Sequence, residues 1–192
     1  MINSKTITLY SAAWGNQVEN AKRVLEHCNR IFPYFDKTIF NTQIDNLLDY
    51  NKHMVEELDQ LIDTDFVLIV QSDGFIINPN LWEDRFLDFD YIGAPWPWYN
   101  VVGNGGFSLR SKKFLTTSSK LRYIKDHPEY EFCPEDAFLC LPTYCRAHFI
   151  RHGCRFADIL TGLRFSFEHP MPIHPNHRIN NSFGFHGKHN LK

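Results

Sequence analysis

The sequence predicts an α/β fold in which helices flank a mostly parallel central sheet, and two observations favour this prediction. Residues 66–70 are five consecutive apolar residues, which are typical of a strand buried on both faces, as in a parallel sheet. Before them, strand patterns in 6–10 and 37–41 are each followed by apolar residues at helical spacing, in 16–28 and 45–62. Strand, helix, strand, helix, strand is the order of a doubly wound sheet with right-handed crossovers.

The second half of the chain is less regular, because turn and aromatic residues interrupt its apolar runs. We expect helices from Asn78, in 114–123 and from Pro134, and short strands in 91–94 and 154–157. Residues 95–100 are expected to form an extended aromatic loop. The tail from residue 165, which is rich in His and Pro, is expected to be irregular. Glycines at positions 103, 105 and 106 indicate backbone that another group approaches closely. Since 192 residues suffice for one sizeable core, we predict a single domain over 1–192.

Composition and charge exclude several classes of protein. The formal net charge of −2 provides no positive field for nucleic acid or for an anionic membrane surface, so we expect neither as a partner. The first residues lack the apolar core of a signal peptide, and no segment approaches 18 apolar residues. We therefore expect a cytoplasmic protein without a membrane span. Its five cysteines, which lack Cys-x-x-Cys spacing, are predicted to be free thiols.

An acidic residue follows the apolar strand 66–70 directly. Asp73 comes at the carboxyl end of this strand, which is where open α/β sheets bind ligands, and Gly74 allows a turn or a close approach. A carboxylate there suits a cation, a metal bound to phosphate, or a sugar hydroxyl. The alternative is an ordinary Asp-Gly turn into a second strand over 75–77. This segment alone leaves both interpretations open.

Further segments extend this pattern in a fixed order along the chain. They are Gln-Ser-Asp-Gly-Phe in 71–75, Asp-Tyr-Ile-Gly-Ala-Pro-Trp in 90–96, Gly-Asn-Gly-Gly-Phe-Ser-Leu-Arg-Ser in 103–111, Pro-Glu-Asp in 134–136 and Phe-Gly-Phe-His-Gly in 183–187. The set resembles the metal-dependent glycosyltransferases of the GT-A fold. It is more similar still to a bacterial and fungal family of glycosyltransferase-like proteins catalogued as the domain of unknown function DUF5672. The run 103–111 is the most specific of these segments.

The resemblance implies a GT-A-like fold and an enzyme of the hexosyltransferase type (EC 2.4). Such an enzyme moves a sugar from a nucleotide-sugar donor, with a UDP-sugar favoured, to a hydroxyl acceptor such as a surface glycan. The resemblance further implies a nucleotide-binding half in 1–77 and a half in 78–192 that contributes the acceptor and metal sites. Direct displacement with inversion at the anomeric carbon is the expected course.

The resemblance also implies a divalent metal, Mn²⁺ or Mg²⁺, against the donor diphosphate. Two phosphates require neutralisation, and these ions often take only one or two protein carboxylates. Asp73 is the expected ligand, joined by His186 from the C-terminal segment, with His189 as the fallback. GT-A enzymes usually carry an Asp-x-Asp motif here, and this chain has Gln71 in the place of the first acid.

An acceptor hydroxyl must lose a proton as it attacks, and a nearby carboxylate serves as the base. By resemblance to the acidic motif of inverting GT-A enzymes, Asp136 is the first candidate and Glu135 the second. The alternative is structural: acids in the first turn of a helix stabilise it by about 0.3–1 kcal/mol without any catalytic role.

The remaining candidate residues fall into two sets. The donor is expected to contact the first strand end, the second helix and the strand end at 71–74, at Tyr10, Ser11, Ala13, Asn51, Lys52, Gln71, Ser72, Asp73 and Gly74. The acceptor or the transferred sugar is expected at Trp96, Trp98, Asn104, Gly105, Gly106 and Phe107, where aromatic faces can stack on a sugar ring. An ordinary glycine-rich turn, a solvated Lys52 and tryptophans that fill the core are the competing interpretations.

Two other functions compete with transfer. A non-catalytic nucleotide-sugar or carbohydrate-binding module is favoured by the missing first acid and by the short chain. A metal-dependent phosphohydrolase that uses Asp73 would need a second acid two residues away and a downstream pair of Lys and Asp, which the sequence does not offer in that order.

Overall fold

The computed structural model describes residues 5–121 and 133–191. Its strands, in chain order, are β1 (Ile7–Ala12), β2 (Lys37–Asn41), β3 (Phe66–Val70), β4 (Gly74–Ile76), β5 (Tyr91–Ile92), β6 (Pro95–Trp96), β7 (Val101–Val102), β8 (Phe107–Ser111), β9 (Ser166–Phe167) and β10 (Gly184–His186). Its α-helices are α1 (Val18–Ile31), α2 (Leu47–Lys52), α3 (Leu58–Leu61), α4 (Lys112–Ser118), α5 (Glu135–Cys140), α6 (Arg146–Arg151) and α7 (Ile159–Phe165). A π-helical turn, His53–Glu57, joins α2 to α3.

The central sheet has five strands in the order β2-β1-β3-β8-β5. β1 pairs with β2 and β3 in parallel, whereas β8 lies antiparallel to both β3 and β5, so four of the five strands point the same way. All five residues of β3 are buried, as the run of apolar residues predicted. The predicted mostly parallel sheet is present, with one reversed strand inside it.

The N-terminal half follows the prediction closely. β2 and β3 have the expected bounds, and α1 buries Ala21, Leu25 and Cys28 against the sheet. One difference matters for the site: β1 continues to Ala12, two residues beyond the predicted end of the strand. The edge of the sheet at this strand therefore lies at Ala12 and Ala13 instead of Tyr10.

The C-terminal half departs from the prediction in several places. The helix expected from Asn78 is wrong, because two short 3₁₀ helices, Pro79–Leu81 and Asp84–Asp88, turn Trp82 and Phe86 onto Phe183. The glycine-rich run contains a central strand, β8, that was not predicted, and α7 was also missed. The segment 154–157 makes only an isolated bridge, Phe156 to Tyr91. The helix expected in 114–123 begins at Lys112 and ends at Ser118, and its last two predicted residues lie outside the described ranges.

A second, three-stranded sheet ties the C-terminal tail to the end of β3. β10 pairs antiparallel with β4, with His186 opposite Gly74, and parallel with β9, with Phe185 opposite Phe167. Gln71 and Gly74 bond each other's backbones at 3.1 Å, which closes a tight turn. The Asp-Gly segment is therefore a turn into a strand, as one interpretation predicted, and it places Ser72 and Asp73 at the edge of the sheet.

Aromatic rings fill much of the space between the two sheets. Phe107 stacks on Phe165 at 5.1 Å between ring centroids, and Phe183 contacts both at 5.9 Å. Much of the phenylalanine content thus serves the core. Within the described ranges, no helix combines the length and the apolar character needed to cross a bilayer.

Candidate functional site

Two adjoining clefts are among those that open near the carboxyl end of β3. The first cleft, of about 360 Å³, is lined by Ala12, Ala13, Trp14, Gln17, Ala21, Leu47, Tyr50, Gln71, Ser72, Asp73, His186 and Lys188. The second cleft, of about 470 Å³, is lined by Trp96, Trp98, Tyr99, Asn104, Pro134, Asp136, Ala137, Leu141, Glu168 and His186. His186 is a wall residue of both. Two spaces, each with its own aspartate, therefore meet at one imidazole ring.

His186 is held between two carboxylates. Its Nε2 lies 3.6 Å from an oxygen of Asp73, and its Nδ1 lies 3.2 Å from an oxygen of Glu168. Burial by itself lowers the pKa of His186, but the hydrogen bond to Glu168 and the charges of Asp73 and Glu168 outweigh burial and raise the pKa above its ordinary value. The ring thus carries positive charge between the clefts more readily than a free histidine does.

Two glycines allow the ring to lie this close to the strand ends. A Cβ at Gly106 would overlap the His186 ring and come within 2.7 Å of Oε1 of Gln71. A Cβ at Gly74 would lie 2.8 Å from Cδ2 of His186 and 2.9 Å from the carbonyl oxygen of Gly106. Any larger residue at these positions would displace His186, which explains part of the glycine-rich pattern.

Asn104 connects the glycine-rich loop to the tail. Its side-chain NH₂ donates to Glu168 at 3.0 Å and lies 2.9 Å from Nδ1 of His186, while its carbonyl oxygen accepts from the backbone N–H of Gly106 at 3.1 Å. These contacts fix the orientation of the amide group. The loop, β10 and the residue that follows β9 are therefore joined through one side chain.

Asp136 occupies the first turn of α5 and faces the second cleft. One carboxylate oxygen accepts from the backbone N–H of Gly105 at 2.9 Å, and the other accepts from that of Ala137 at 2.7 Å. Burial, and then the charge of the neighbouring Glu135, raise the pKa of Asp136 to about 7. A carboxylate whose pKa lies near neutrality is suited to take a proton and give it back.

Glu135, by contrast, is enclosed by protein. Its carboxylate receives Nη2 of Arg110 at 3.0 and 3.2 Å, and its backbone N–H donates to the side chain of Asn51 at 3.2 Å. The side chain does not line either cleft. The two adjacent acids, which sequence reasoning treated as alternative bases, therefore have separate surroundings.

Aromatic side chains form the outer wall of the second cleft. Trp98 and Tyr99 are 71% and 54% exposed, which is unusual for such large rings, while Trp96 is half-buried. Trp98 packs edge-on against His169 at 5.0 Å, and His169 stacks on His189 at 4.7 Å. The exposed rings provide a flat apolar surface beside Asp136.

Several of the residues expected to contact ligand lie elsewhere. Tyr10 is in the core, where its hydroxyl bonds His53 at 2.6 Å, because β1 extends past it. Ser11 and Phe107 are also fully buried. Asn51 bonds the backbone ahead of Asp136 instead of facing the first cleft. Lys52 is exposed and lies 3.9 Å from Glu57, and it lines neither cleft.

The structure brings together the other predicted residues. Ala13, Gln71, Ser72 and Asp73 line the first cleft, and Trp96, Trp98, Asn104 and Asp136 line the second, with His186 in both. Gly74, Gly105 and Gly106 provide the close approaches behind them. His189 bonds the backbone oxygen of Glu168 at the margin of the site.

The lining residues that sequence reasoning missed include Trp14, Tyr50, Glu168 and Lys188. Lys188 follows His186 by two residues, so its place in the same segment was an available signal. Tyr50 accepts from the side chain of Gln71 at 2.6 Å. Glu168 reaches His186 through the parallel register of β9 and β10, which nothing local in the sequence indicates.

The residues present fit a metal ion only as a partial set of ligands. In the described ranges, no group of three His, Cys, Asp or Glu side chains converges on a common point. Asp73 and Nε2 of His186 nevertheless face each other, and Glu168 on the opposite ring nitrogen is the kind of carboxylate that orients a ligating histidine. Such a pair suits Mn²⁺ or Mg²⁺ that takes its remaining oxygens from a diphosphate and water.

Comparisons with known proteins agree with this architecture. The model of the family described as protein of unknown function (DUF5672) matches residues 32–186, so the chain belongs to this family. The crystal structure of a glycosyltransferase involved in the glycosylation of the major capsid of PBCV-1 is similar over 95% of this chain and 93% of that chain, with a TM-score of 0.65 and 15% identity. An active-site mutant of LgtC is 12% identical over 94% of this chain and 87% of that chain, with a TM-score of 0.46. No curated protein sequence matches the chain. The predicted GT-A-like fold is confirmed.

Proposed function

We propose that this member of the DUF5672 family is a glycosyltransferase that moves a sugar from a nucleotide-sugar donor, with a UDP-sugar favoured, to a hydroxyl of a glycan acceptor. The observation that carries the proposal is the meeting of two clefts at His186, with Asp73 in one and Asp136 in the other. A transferase needs this arrangement, because donor and acceptor must occupy separate spaces that share the reacting centre. The fold of the PBCV-1 glycosyltransferase supports the reaction class.

The first cleft suits the nucleoside diphosphate part of the donor. Lys188 provides a cationic group for the phosphates, and Trp14 offers a ring to a nucleobase. Ser72 adds a hydroxyl at the strand end. Asp73 and His186 are the residues that would hold a divalent ion, which when bound neutralises the charge that develops on the departing diphosphate.

The second cleft suits the acceptor. Trp96, Trp98 and Tyr99 offer faces on which the C–H groups of a sugar ring can stack, and Asn104 and Glu168 offer polar groups to its hydroxyls. A neighbouring sugar hydroxyl would lie beside Asp136. Since the Asp136 carboxylate is held by two backbone N–H groups, its orientation is set before substrate arrives.

The reaction we propose is one direct displacement. The acceptor oxygen forms a bond to the anomeric carbon, the bond from that carbon to the diphosphate oxygen breaks, and the acceptor proton passes to Asp136. The nucleoside diphosphate leaves with the bonding electron pair, and the configuration at the anomeric carbon inverts. Asp136 later returns its proton to water.

One observation favours the competing function, a binding module without turnover. Gln71 replaces the first acid of Asp-x-Asp, and its amide bonds Tyr50 instead of offering a carboxylate to the first cleft. A protein that only binds would release no nucleoside diphosphate from any donor.

Two experiments test the proposal. A thermal-shift screen of UDP-, GDP-, CMP- and dTDP-sugars, with and without Mn²⁺, identifies the donor, because a ligand that binds the folded state raises its melting temperature. Release of nucleoside diphosphate from that donor is then measured for the wild type, Asp73→Ala and Asp136→Asn. We expect turnover by the wild type and its loss in both variants. A donor that binds yet is never turned over would contradict the transferase and favour the binding module.

A further inference from the structure

The structure contains one ion pair, within the described ranges, whose two partners are almost wholly removed from solvent. Arg110 of β8 is fully buried and Glu135 of α5 is 3% exposed. Nη2 of Arg110 donates to both carboxylate oxygens of Glu135, at 3.0 and 3.2 Å, and Nε donates to the hydroxyl of Ser108 at 3.2 Å. The pair joins the strand that follows the glycine-rich loop to the helix that carries Asp136.

Burial of such a pair is costly and needs an explanation. Removing two charges from water costs more than their attraction returns in many proteins, and apolar replacements of similar volume are often as stable or more so. Stability alone is therefore a weak reason for charged groups here. The location of the pair suggests another reason.

Gly105 packs directly between the pair and Asp136. A Cβ on Gly105 would lie 2.5 Å from an oxygen of Glu135, 2.8 Å from Cβ of Asp136 and 3.0 Å from Nη2 of Arg110. The same glycine donates its backbone N–H to Asp136. Because these groups are packed so closely, a shift of the pair would be expected to move the Asp136 carboxylate as well.

Asn51 of α2 anchors the same turn from the other side. Its side-chain oxygen accepts from the backbone N–H of Glu135 at 3.2 Å, and its NH₂ donates to the backbone oxygen of Cys133 at 3.3 Å. The preceding residue, Tyr50, bonds Gln71 in the first cleft. The start of α5 is thus bonded to both β8 and α2.

We propose that Arg110 and Glu135 are positioning residues that hold the first turn of α5, and with it the Asp136 carboxylate, in the geometry required for transfer. Neither side chain touches substrate. The inference rests on the proposed function, since it assigns the pair a role through Asp136, and it changes the meaning of the Glu-Asp motif: the first acid positions and the second reacts.

The test replaces the pair by an apolar one. Arg110→Met/Glu135→Leu keeps the buried volume similar and leaves no unmatched charge, so we expect it to fold. We expect kcat to fall about a hundredfold, as misplacement of a catalytic group does, while the donor KM stays within about twofold of wild type. Packing alone would not produce this separation of kcat from KM. A folded double variant with wild-type kcat would overturn the proposal.

The control is the ion pair of Lys112, which directly follows β8, and Asp59; the two are 2.7 Å apart and line neither cleft. Lys112→Met/Asp59→Leu should leave kcat and the donor KM within about twofold of wild type, since it makes the same kind of exchange at a partly exposed pair away from both clefts. An equal loss of kcat in this control would overturn the assignment to the Arg110–Glu135 pair.

Two further measurements keep the test decisive. If the apolar double variant does not fold, Glu135→Gln is judged by the same criterion, a fall in kcat at constant donor KM. If the wild type shows no transfer, the proposed function fails, and amide hydrogen exchange still decides the positioning role. Faster exchange at Gly105 and Ala137 in Glu135→Gln, with none in Asp59→Asn, supports the proposal, and unchanged exchange at both amides overturns it.

Discussion

The two halves of the molecule build their parts of the site by different means. Up to residue 77, the chain alternates strand and helix, and the strand ends at Ala12 and after Val70 form the first cleft through sheet topology. Beyond it, single residues far apart in the chain meet: Asn104 bonds Glu168 and lies against His186, at separations of 64 and 82 residues. The regular half thus shapes its cleft through the order of its strands, and the irregular half through side chains that meet across long separations in the chain.

This difference predicts a separation of effects. Substitutions in the regular half should change donor affinity, whereas those in the irregular half should change turnover and acceptor affinity. His186 belongs to the irregular half in sequence and to both clefts in space. A substitution of His186 should therefore change donor affinity and turnover together.

The largest effect is therefore expected for His186→Ala. Loss of the ring removes the wall shared by the clefts and the group that lies between Asp73 and Glu168, so we expect transfer to fall about a thousandfold or more and donor affinity to fall as well. Steady-state kinetics measures the transfer rate, and calorimetric titration measures the donor affinity. His177→Ala, in the same tail but bonded to Ser182 away from both clefts, is the control and should retain both within about twofold. Undiminished donor affinity in His186→Ala would show that the clefts do not share this residue.

The second-largest effect is expected at Gly106, and a second glycine serves as its control. Gly106→Ala should lower transfer about a hundredfold, because the added Cβ would displace His186 and Gln71. Gly153→Ala, where φ is +75° and an added Cβ would meet only the end of the Lys113 side chain, should leave transfer unchanged and cost about 1–2 kcal/mol in the free energy of unfolding. Activity assays measure the loss of transfer in each variant, and denaturant unfolding measures the loss of stability. Full activity in Gly106→Ala would contradict the close approach that the structure describes.

The pH dependence of the transfer rate tests Asp136, the proposed base in the irregular half. Because burial and the charge of Glu135 raise the pKa of Asp136 to about 7, transfer should fall about tenfold per pH unit below that value as the base becomes protonated. Glu135→Gln should move this acidic limb to lower pH. A transfer rate that is flat between pH 5 and pH 8 would exclude Asp136 as the base.

The raised pKa of Asp136 should also make the free energy of unfolding depend on pH. From an ordinary value of 3.8 up to about 7, the folded protein holds a proton that the unfolded chain has released. The free energy of unfolding should therefore decrease as pH rises across this window. Asp136→Asn should weaken the decrease, which urea unfolding at several pH values measures. An identical slope in the variant would argue against the raised pKa.

The smallest effect is expected at the exposed aromatic wall. Trp98→Ala should raise the acceptor KM about five- to tenfold, which corresponds to about 1 kcal/mol of lost stacking, and leave donor binding unchanged. Since Trp98 is 71% exposed, its loss should barely change the melting temperature. Tyr34→Ala, at an exposed ring distant from the site, is the control. A change in donor affinity in Trp98→Ala would place the ring on the donor side.

The sequence allowed the regular half to be predicted because its signals are local. The apolar run of β3 and the helical spacing of α1 each lie within one segment, and the acid after β3 marked the edge of the sheet. The misplaced donor residues have a simple cause: β1 is two residues longer than its pattern indicated, so Tyr10 points into the core and Ala13 reaches the first cleft.

The irregular half could not be predicted in the same way, because its order comes from pairing across long separations. β8 contains a buried arginine, which an apolar pattern cannot anticipate, since its charge is matched by Glu135, 25 residues later. Glu168 reaches His186 through a two-residue strand. Asp136 and His186 were proposed through resemblance to a family, and local spacing would not have distinguished them from an ordinary helix start and an ordinary tail histidine.

The central claim is that Asp73 and Asp136 serve different clefts of one site, and donor binding tests it most directly. Calorimetric titration with the nucleoside diphosphate that stabilises the wild type most, in the presence of Mn²⁺, is compared among wild type, Asp73→Ala and Asp136→Asn. We expect Asp73→Ala to weaken binding at least about tenfold and Asp136→Asn to leave it within about twofold, because only the first aspartate lines the first cleft. Equal affinity in all three proteins, or a loss in Asp136→Asn alone, would contradict the account.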